Sequence, residues 1–255
     1  MALNTKIEWT HRTANLWHGC TKVHEGCNNC YAEAISKRFG RDIWGIDKSR
    51  RLISSVWDDL TKFQVLADKV DEVHRVFVGS MMDIFERPMP VIDYFGNRLD
   101  ITTDCLRQKL FQNISEGLYP NLNFLLLTKR PSNINKFIPA HWKQAPPANV
   151  MFGTSPVNQS TTITLLTQLA KVKGKRFLSI EPQLERLTLL PWLEAGIIDW
   201  VIQGGESGPR KRPFNTDWAR QLRRECKATG TPFFFKQIDK VQPIPDDLMV
   251  REFYK

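Results

Sequence analysis

The sequence repeats one local unit: a short run of apolar residues, a polar or glycine-containing tip, and then an amphipathic stretch. The apolar runs are continuous rather than alternating, which is typical of strands buried on both faces of a parallel sheet. Strands are predicted at 75–80, 123–128, 150–155, 176–181, 199–203 and 232–235, with a weaker candidate at 13–17. The pattern predicts an α/β fold, either a complete or partial (β/α) TIM-type barrel with mostly parallel strands or a doubly wound open sheet.

Helical periodicity separates most of these strands, at 58–74, 103–117, 159–173 and 215–229. The 255-residue chain contains no internal repeat, low-complexity tract or long linker, so we expect a single barrel domain over 1–255. Within this domain a cysteine-containing loop at 18–31 follows the first strand. The tail at 239–255 is expected at the periphery.

The composition narrows the class of protein. With 42% hydrophobic residues, 25% charged residues and no apolar run of 18 residues, the chain is expected to be globular and to have no membrane span. Its first residues lack the basic-then-apolar pattern of a secretory signal, which predicts a cytoplasmic protein. The net charge of +9 makes nucleic acid or a nucleotide a candidate partner, although a solvated basic surface explains the charge equally well.

Three cysteines, Cys20, Cys27 and Cys30, lie close together in a C-x6-C-x2-C pattern. In a reducing compartment, clustered thiols within an odd total of five cysteines are expected to be metal ligands rather than disulfides. One interpretation is a [4Fe–4S] cluster with three protein thiolates and one iron open to a further ligand. A second is a zinc site completed by His18 or His24, and a third is a group of cysteines that binds nothing.

Polar side chains follow the predicted strands at their carboxyl ends, which in a parallel barrel all lie on the face that holds the active site. The candidate catalytic residues there are Asp83, Lys129, Glu181 and Lys236. The candidate cofactor-binding residues are Tyr31, Ser155 and the glycine-rich segment Gly204, Gly205, Glu206 and Ser207. Glycines in such a segment let backbone amides approach a ligand closely. Each tip also has a simpler explanation, since every strand ends in polar residues and a glycine-rich turn can join a strand to a helix.

Taken together, segments 17–33, 76–85, 124–131, 177–182, 199–208 and 232–237 resemble a phage- and prophage-associated family of three-Cys-motif proteins of unknown function. That family is similar to divergent radical S-adenosylmethionine enzymes, in which the usual first cysteine interval is three residues rather than six. The resemblance implies a barrel, a [4Fe–4S] cluster bound by Cys20, Cys27 and Cys30, S-adenosylmethionine as cofactor and a reductant protein as partner. It also implies a bacterial or phage-infected cell as the setting.

Two classes of function follow from these features. The first is a radical S-adenosylmethionine-like iron–sulfur enzyme that acts on nucleic acid or a nucleotide, as in phage DNA modification. The basic residues Arg210, Lys211 and Arg212, directly after the glycine-rich tip, are expected to contact phosphate groups. The alternatives depend on zinc: a zinc-containing nucleic-acid-binding protein, or a zinc-dependent base-exchange barrel enzyme with Asp83 as its nucleophile.

Overall fold

Seven parallel strands form the main sheet, and their order in the sheet follows their order in the chain. The computed structural model describes residues 5–254. The strands in this part of the chain are β1 Arg12–Ala14, β2 Trp17–His18, β3 Arg50–Leu52, β4 His74–Val78, β5 Pro90–Ile92, β6 Arg98–Thr102, β7 Leu122–Thr128, β8 Val150–Thr154, β9 Lys175–Ile180, β10 Trp200–Gly204 and β11 Phe233–Gln237. The main sheet has the order β1-β4-β7-β8-β9-β10-β11, and every neighbouring pair is parallel.

The main sheet curls into a half-barrel, which confirms the predicted α/β class and partial TIM-type barrel. Alternate residues along each strand point to opposite faces. Phe77, Leu125 and Phe177 belong to an inner apolar cluster that contains no helix residue. Val76 and Leu126, one residue away, instead join the larger core shared with the helices. Because the strand order never reverses, the sheet has no topological switch point, and the doubly wound alternative is wrong.

Helices cover the convex face of the half-barrel. The α-helices are α1 Tyr31–Arg38, α2 Val56–Val70, α3 Thr103–Ser115, α4 Ile134–Phe137, α5 Gln159–Leu169, α6 Leu190–Glu194 and α7 Thr216–Thr229. Phe63 of α2, Leu110 of α3 and Leu222 of α7 are buried against the sheet. Asn158 begins α5 as part of a capping box, because its side chain accepts the Thr161 N–H at 2.8 Å. Across residues 5–254, none of the helices has the length and apolar character needed to cross a lipid bilayer.

A second sheet, with the order β2-β3-β5-β6, accompanies the half-barrel and was not predicted. Its strands are only two to five residues long and carry polar side chains, so hydrophobic periodicity does not reveal them. β3 lies in a basic stretch of the chain and begins at the fully buried Arg50. This sheet therefore brings a buried cation next to the cysteine loop.

The amino end of the half-barrel is covered by both ends of the described chain. Trp9 packs on Phe77 with ring centroids 4.7 Å apart. Tyr254 lies 5.2 Å from the ring of Trp200, the first residue of β10. Predicted from sequence to be peripheral, the tail instead extends this inner apolar cluster, while Lys255 lies outside the described residues. The site must therefore open at the opposite, carboxyl end.

Gly153, in the middle of β8, leaves room for the ring of Phe177 on the neighbouring strand. A Cβ atom at this position would lie well inside van der Waals contact of that ring. Gly153→Ala should therefore lower the free energy of unfolding by about 1–3 kcal/mol, as overpacking of a core does. Chemical denaturation measures the change. Adding Phe177→Leu should restore part of the loss, and an unchanged denaturation midpoint for Gly153→Ala alone would argue against this tight packing.

His11 is held neutral at the edge of the sheet. Its Nδ1 accepts the Arg75 N–H at 2.8 Å, and burial, followed by the charge of Arg75, lowers its pKa to about 4. The unfolded chain binds this proton near pH 6.5, so the free energy of unfolding should fall as the pH drops from about 6.5 to about 4. His11→Asn keeps an acceptor but does not titrate, and should flatten that part of the thermal stability profile. His141→Asn, on the surface, is the control; identical profiles for the two variants would contradict the prediction.

Candidate functional site

A cavity of about 270 Å³ opens at the carboxyl end of the half-barrel. Trp9, Phe77 and Leu127 line its apolar part. Its polar lining comes from the tips of six strands: Ser80 and Asp83 after β4, Thr128, Lys129 and Arg130 at β7, Ser155 after β8, Ser179 and Glu181 at β9, Gly205, Glu206 and Ser207 after β10, and Lys236 and Gln237 of β11. Segments distant in sequence therefore form one pocket, as parallel strands of a barrel do.

All three cysteines of the predicted ligand set line this same cavity. A short 3-10 helix at Glu25–Cys27 and the start of α1 position Cys27 and Cys30. All three thiols are free of disulfides. Burial raises the pKa of the Cys20 thiol, which the charges of Asp83 and Glu86 raise further and that of Arg130 lowers. The loop thus presents three soft sulfur donors to one enclosed space.

Arg130 ties the start of the cysteine loop to the half-barrel. Its guanidinium donates to the Thr21 carbonyl at 2.6 Å, lies 3.9 Å from the Cys20 Sγ and forms an ion pair with Asp83 at 2.7 Å. Asp83 also accepts hydrogen bonds from the Thr128 hydroxyl at 2.7 Å and the Lys129 N–H at 3.2 Å. Both carboxylate oxygens are therefore occupied. Predicted as a catalytic residue, Asp83 is placed to orient Arg130, and this engagement argues against a role as a free nucleophile.

Glu206 ties down the middle of the same loop. It forms a two-point ion pair with Arg212, at 2.6 and 2.9 Å, and accepts a hydrogen bond from Asn29 of the loop at 3.0 Å. Arg212 in turn donates to the Glu25 carbonyl at 3.2 Å. Burial alone would raise the pKa of Glu206, but the hydrogen bonds from Arg212 and Asn29 hold it below its usual value. Glu206 therefore positions the loop as an anion with its oxygens engaged.

Glu181 and Lys236 form an ion pair in the lining of the cavity. The Lys236 Nζ lies 2.8 Å from the Glu181 Oε1, and Ser179 donates to the other carboxylate oxygen at 3.2 Å. Each side chain of the pair is 16% exposed, so both are accessible from the cavity. Tyr31 donates its hydroxyl hydrogen to the Ser80 carbonyl at 2.7 Å, and burial raises its pKa, with Cys30 and Glu181 adding to the effect. This group combines a carboxylate, an ammonium and two hydroxyls.

The two glycines of the glycine-rich segment contribute space at the cavity wall. Gly204 does not line the cavity, but a Cβ there would lie 3.1 Å from the Glu181 Oε1, so glycine permits the carboxylate to approach. Gly205 accepts a hydrogen bond at its carbonyl from the Gln237 side chain at 3.0 Å. Ser155 and Ser207 both line the cavity, as predicted for ligand-binding residues. The hydrogen bond between Gly205 and Gln237 therefore holds the segment after β10 against the end of β11.

The cavity carries an excess of positive charge. Its carboxylates Asp83, Glu181 and Glu206 each have a cationic partner. Within residues 5–254, by contrast, the ammonium groups of Lys129 and Lys240 have no carboxylate at ion-pair distance, although both side chains line the cavity. An anionic ligand would neutralise this excess.

The donor set at the cavity consists of three thiols, which zinc and iron–sulfur clusters both accept as ligands. Within the described residues, no group of three or more His, Cys, Asp or Glu side chains is arranged to hold one metal ion. Zinc requires its sulfur ligands within about 2.3 Å of one centre, whereas thiolates on different irons of a cluster can be farther apart. By donor chemistry, the three thiols around this cavity are ligands that an iron–sulfur cluster could take.

Neither histidine proposed as the fourth zinc ligand lines the cavity. The His24 Nδ1 accepts the Gly26 N–H at 3.1 Å, and burial lowers the pKa of this side chain to about 4. A neutral ring that accepts at Nδ1 carries its proton on Nε2, so neither nitrogen offers a free lone pair. The pKa of His18 is also lowered to about 4, first by burial and then by Arg51. Neither histidine therefore adds a ligand atom to the lining that the three cysteines share.

The tasks of several site residues escaped prediction from the sequence. Arg130 and Arg212 act on the cysteine loop through contacts that span more than 100 residues of sequence. Lys211 and Arg212, expected to bind phosphate, are instead paired with Asp239 and Glu206 at 2.7 and 2.6 Å. Lys240 follows β11 within the tail that seemed peripheral. Its only sequence signal is its position just after a strand.

Fold and cavity together define the class of this protein as a parallel (β/α) half-barrel with three thiols at its carboxyl-end cavity. The chain belongs to a family described as protein of unknown function, DUF5131, whose family model matches residues 4–245. That match includes the cysteine loop and every strand of the main sheet. No curated protein matches the chain, and no solved structure matches it either.

Proposed function

We propose that this protein is a radical S-adenosylmethionine-like iron–sulfur enzyme that acts on a nucleic acid or nucleotide. The observation that carries the proposal is the presence of Cys20, Cys27 and Cys30 around one cavity at the carboxyl end of a parallel half-barrel. The resemblance to phage-associated three-Cys-motif proteins and divergent radical enzymes supports the same assignment. Three protein thiolates on a four-iron cluster leave one iron for a cofactor.

The bound cluster and S-adenosylmethionine would supply one-electron reduction and radical chemistry. The chain's own residues bind and orient. Arg130 and Glu206 hold the loop that carries the thiols, and the apolar wall of Trp9 and Phe77 limits access of water. Glu181 and Lys236 can hold or transfer a proton beside the substrate, because their charged atoms are only 2.8 Å apart and reach the cavity.

The charge of the protein supports an anionic substrate. The net charge is +9, and Lys129 and Lys240 add unneutralised charge at the cavity itself. Phosphate groups of a nucleotide or of DNA would satisfy these ammonium groups. The free thiols fit a reducing cytoplasm, in a bacterial or phage-infected cell, where a reductant protein would deliver the electron.

Metal and sulfide analysis of anaerobically purified protein tests the proposal directly. We expect brown protein with about four iron and four sulfide per chain, and release of 5′-deoxyadenosine after addition of dithionite and S-adenosylmethionine. Colourless protein with stoichiometric zinc would overturn the proposal. Protein reconstituted with iron and sulfide provides the second measurement if iron is lost during purification.

A further inference from the structure

The cavity continues outward into a second space. An open groove of about 640 Å³ lies between α1 and residues 207–211, with Ile35, Pro209 and Val241 among its lining residues. Tyr31, Ser207 and Lys240 line both the cavity and this groove. They therefore mark the passage between the two spaces.

Lys240 is held at this passage by a structured turn. It has a φ of +68°, a backbone conformation that favours glycine and strains other residues. The preceding Asp239 stabilises the turn by accepting the N–H groups of Val241 at 2.8 Å and Gln242 at 2.7 Å. Asp239 is also paired with Lys211 at 2.7 Å. A lysine in a strained conformation, fixed by its neighbours, indicates a constraint beyond folding alone.

The charge around Lys240 leaves it available for an anion. Glu181, a carboxylate of the cavity lining, is paired with Lys236. The neighbouring Asp239 is paired with Lys211. Lys240 is thus surrounded by carboxylates that already have cationic partners. Partial desolvation, and then the nearby Lys236 ammonium, lowers the pKa of Lys240, an effect that a bound anion would offset.

The size of the cavity limits what it can hold. A volume of about 270 Å³ lies below the roughly 300–1,000 Å³ that is usual for ligand pockets. A cluster and its cofactor, which the proposed function places here, would occupy most of that volume. A nucleotide substrate would then have to extend through the passage into the outer groove.

We propose that Lys240 binds a phosphate of the substrate at this passage, and that the groove beside Tyr31 and Ile35 accepts the adjoining part of a phosphorylated nucleoside. This inference deepens the proposed function by naming the substrate's anionic group and its position. A free nucleotide and a single-stranded nucleic acid both carry such a phosphate attached to a nucleoside.

Equilibrium binding of a fluorescein-labelled oligothymidylate, measured by anisotropy at several salt concentrations, tests this inference. For Lys240→Gln we expect the dissociation constant at low salt to rise about 3- to 10-fold. The slope of log K against log salt should become shallower by about 0.7, the value for one phosphate contact on a single strand. Lys240→Arg should retain most of the affinity. Competition with dTMP distinguishes the two sources: a free nucleotide should compete as well as the oligomer, whereas a strand-specific site should favour the oligomer.

Lys69 is an exposed residue of α2. Lys69→Gln removes the same charge there as Lys240→Gln removes at the passage, and should leave oligothymidylate binding unchanged. Lys240→Gly removes the ammonium while suiting the φ of +68°, so it separates loss of contact from loss of folding. Wild-type affinity and salt slope in both Lys240→Gln and Lys240→Gly would overturn the inference, as would equal losses in Lys69→Gln. Binding does not depend on iron, so failure here is distinguishable from failure of the iron and 5′-deoxyadenosine measurements.

Discussion

Cys27→Ala should leave reconstituted protein with little bound iron and no detectable 5′-deoxyadenosine formation. The proposed cluster has only three protein ligands, so losing one thiolate leaves two irons without protein attachment. Cys20→Ala and Cys30→Ala should have the same effect, because all three side chains line one cavity. Iron and sulfide analysis, visible absorption and product chromatography measure the change.

Cys105→Ala is the matched control for loss of a thiol. Cys105 is exposed on α3 and does not line the cavity, so this variant should keep its iron and its activity. Equal iron content in Cys27→Ala and wild type would remove the basis of the proposed function. Circular dichroism of each variant before reconstitution shows whether the fold survives without the thiol.

Arg50→Met should lower the free energy of unfolding by about 3–5 kcal/mol, the usual effect of breaking a buried ion pair by removing one partner. Arg50 is 0% exposed and Glu86 is 2% exposed, and the guanidinium donates to both carboxylate oxygens, at 2.7 and 2.8 Å. The same guanidinium donates to the Thr21 hydroxyl at 2.9 Å and the Gly45 carbonyl at 3.1 Å. Removing it leaves the buried Glu86 carboxylate with only the longer contact to Arg130, at 3.8 Å, and frees the start of the cysteine loop.

Urea denaturation measures the fall in the free energy of unfolding. Two further variants show whether the buried ion pair is its cause. Arg51→Met, one residue along β3, removes a partly exposed guanidinium that lies 5.1 Å from the Tyr94 ring centroid, and should cost less than about 1 kcal/mol. Adding Glu86→Leu to Arg50→Met removes the buried carboxylate that has lost its main partner, Arg50. The double variant should therefore regain part of the lost stability. Comparable losses in Arg50→Met and Arg51→Met would show that the buried pair contributes little.

Much of the half-barrel can be predicted because its signal is local. A strand buried on both faces reads as a continuous apolar run, and the six clear runs and the weaker first one all occur in the main sheet. The four strands of the small sheet have no such signal, since they are short and partly polar. Helix boundaries agree to within a few residues where caps are present, as at Asn215, which accepts the Asp217 N–H at 2.9 Å before α7.

The candidate site, like the fold, is only partly predictable from the sequence. Convergence of the strand tips follows from parallel topology, so Lys129, Glu181 and Lys236 reach one cavity as expected. Their tasks do not follow from position. Asp83 and Glu206 look like free carboxylates in the sequence. In the structure, each forms an ion pair with an arginine that holds the cysteine loop. Such pairings depend on side-chain directions and on distances across the fold, which no local pattern encodes.

Periodicity and residue type alone establish a parallel α/β chain, three clustered thiols and a polar face at the strand tips. Periodicity and residue type are local properties, because burial on two faces and the spacing of metal ligands both depend on residues that are close together in the sequence. Tertiary structure decides that the barrel is half-open, that Arg130 and Arg212 anchor the thiol loop, and that Lys240 reaches the cavity mouth. Those outcomes require residues far apart in sequence to meet, and only the packing of the whole sheet against its helices determines which ones do.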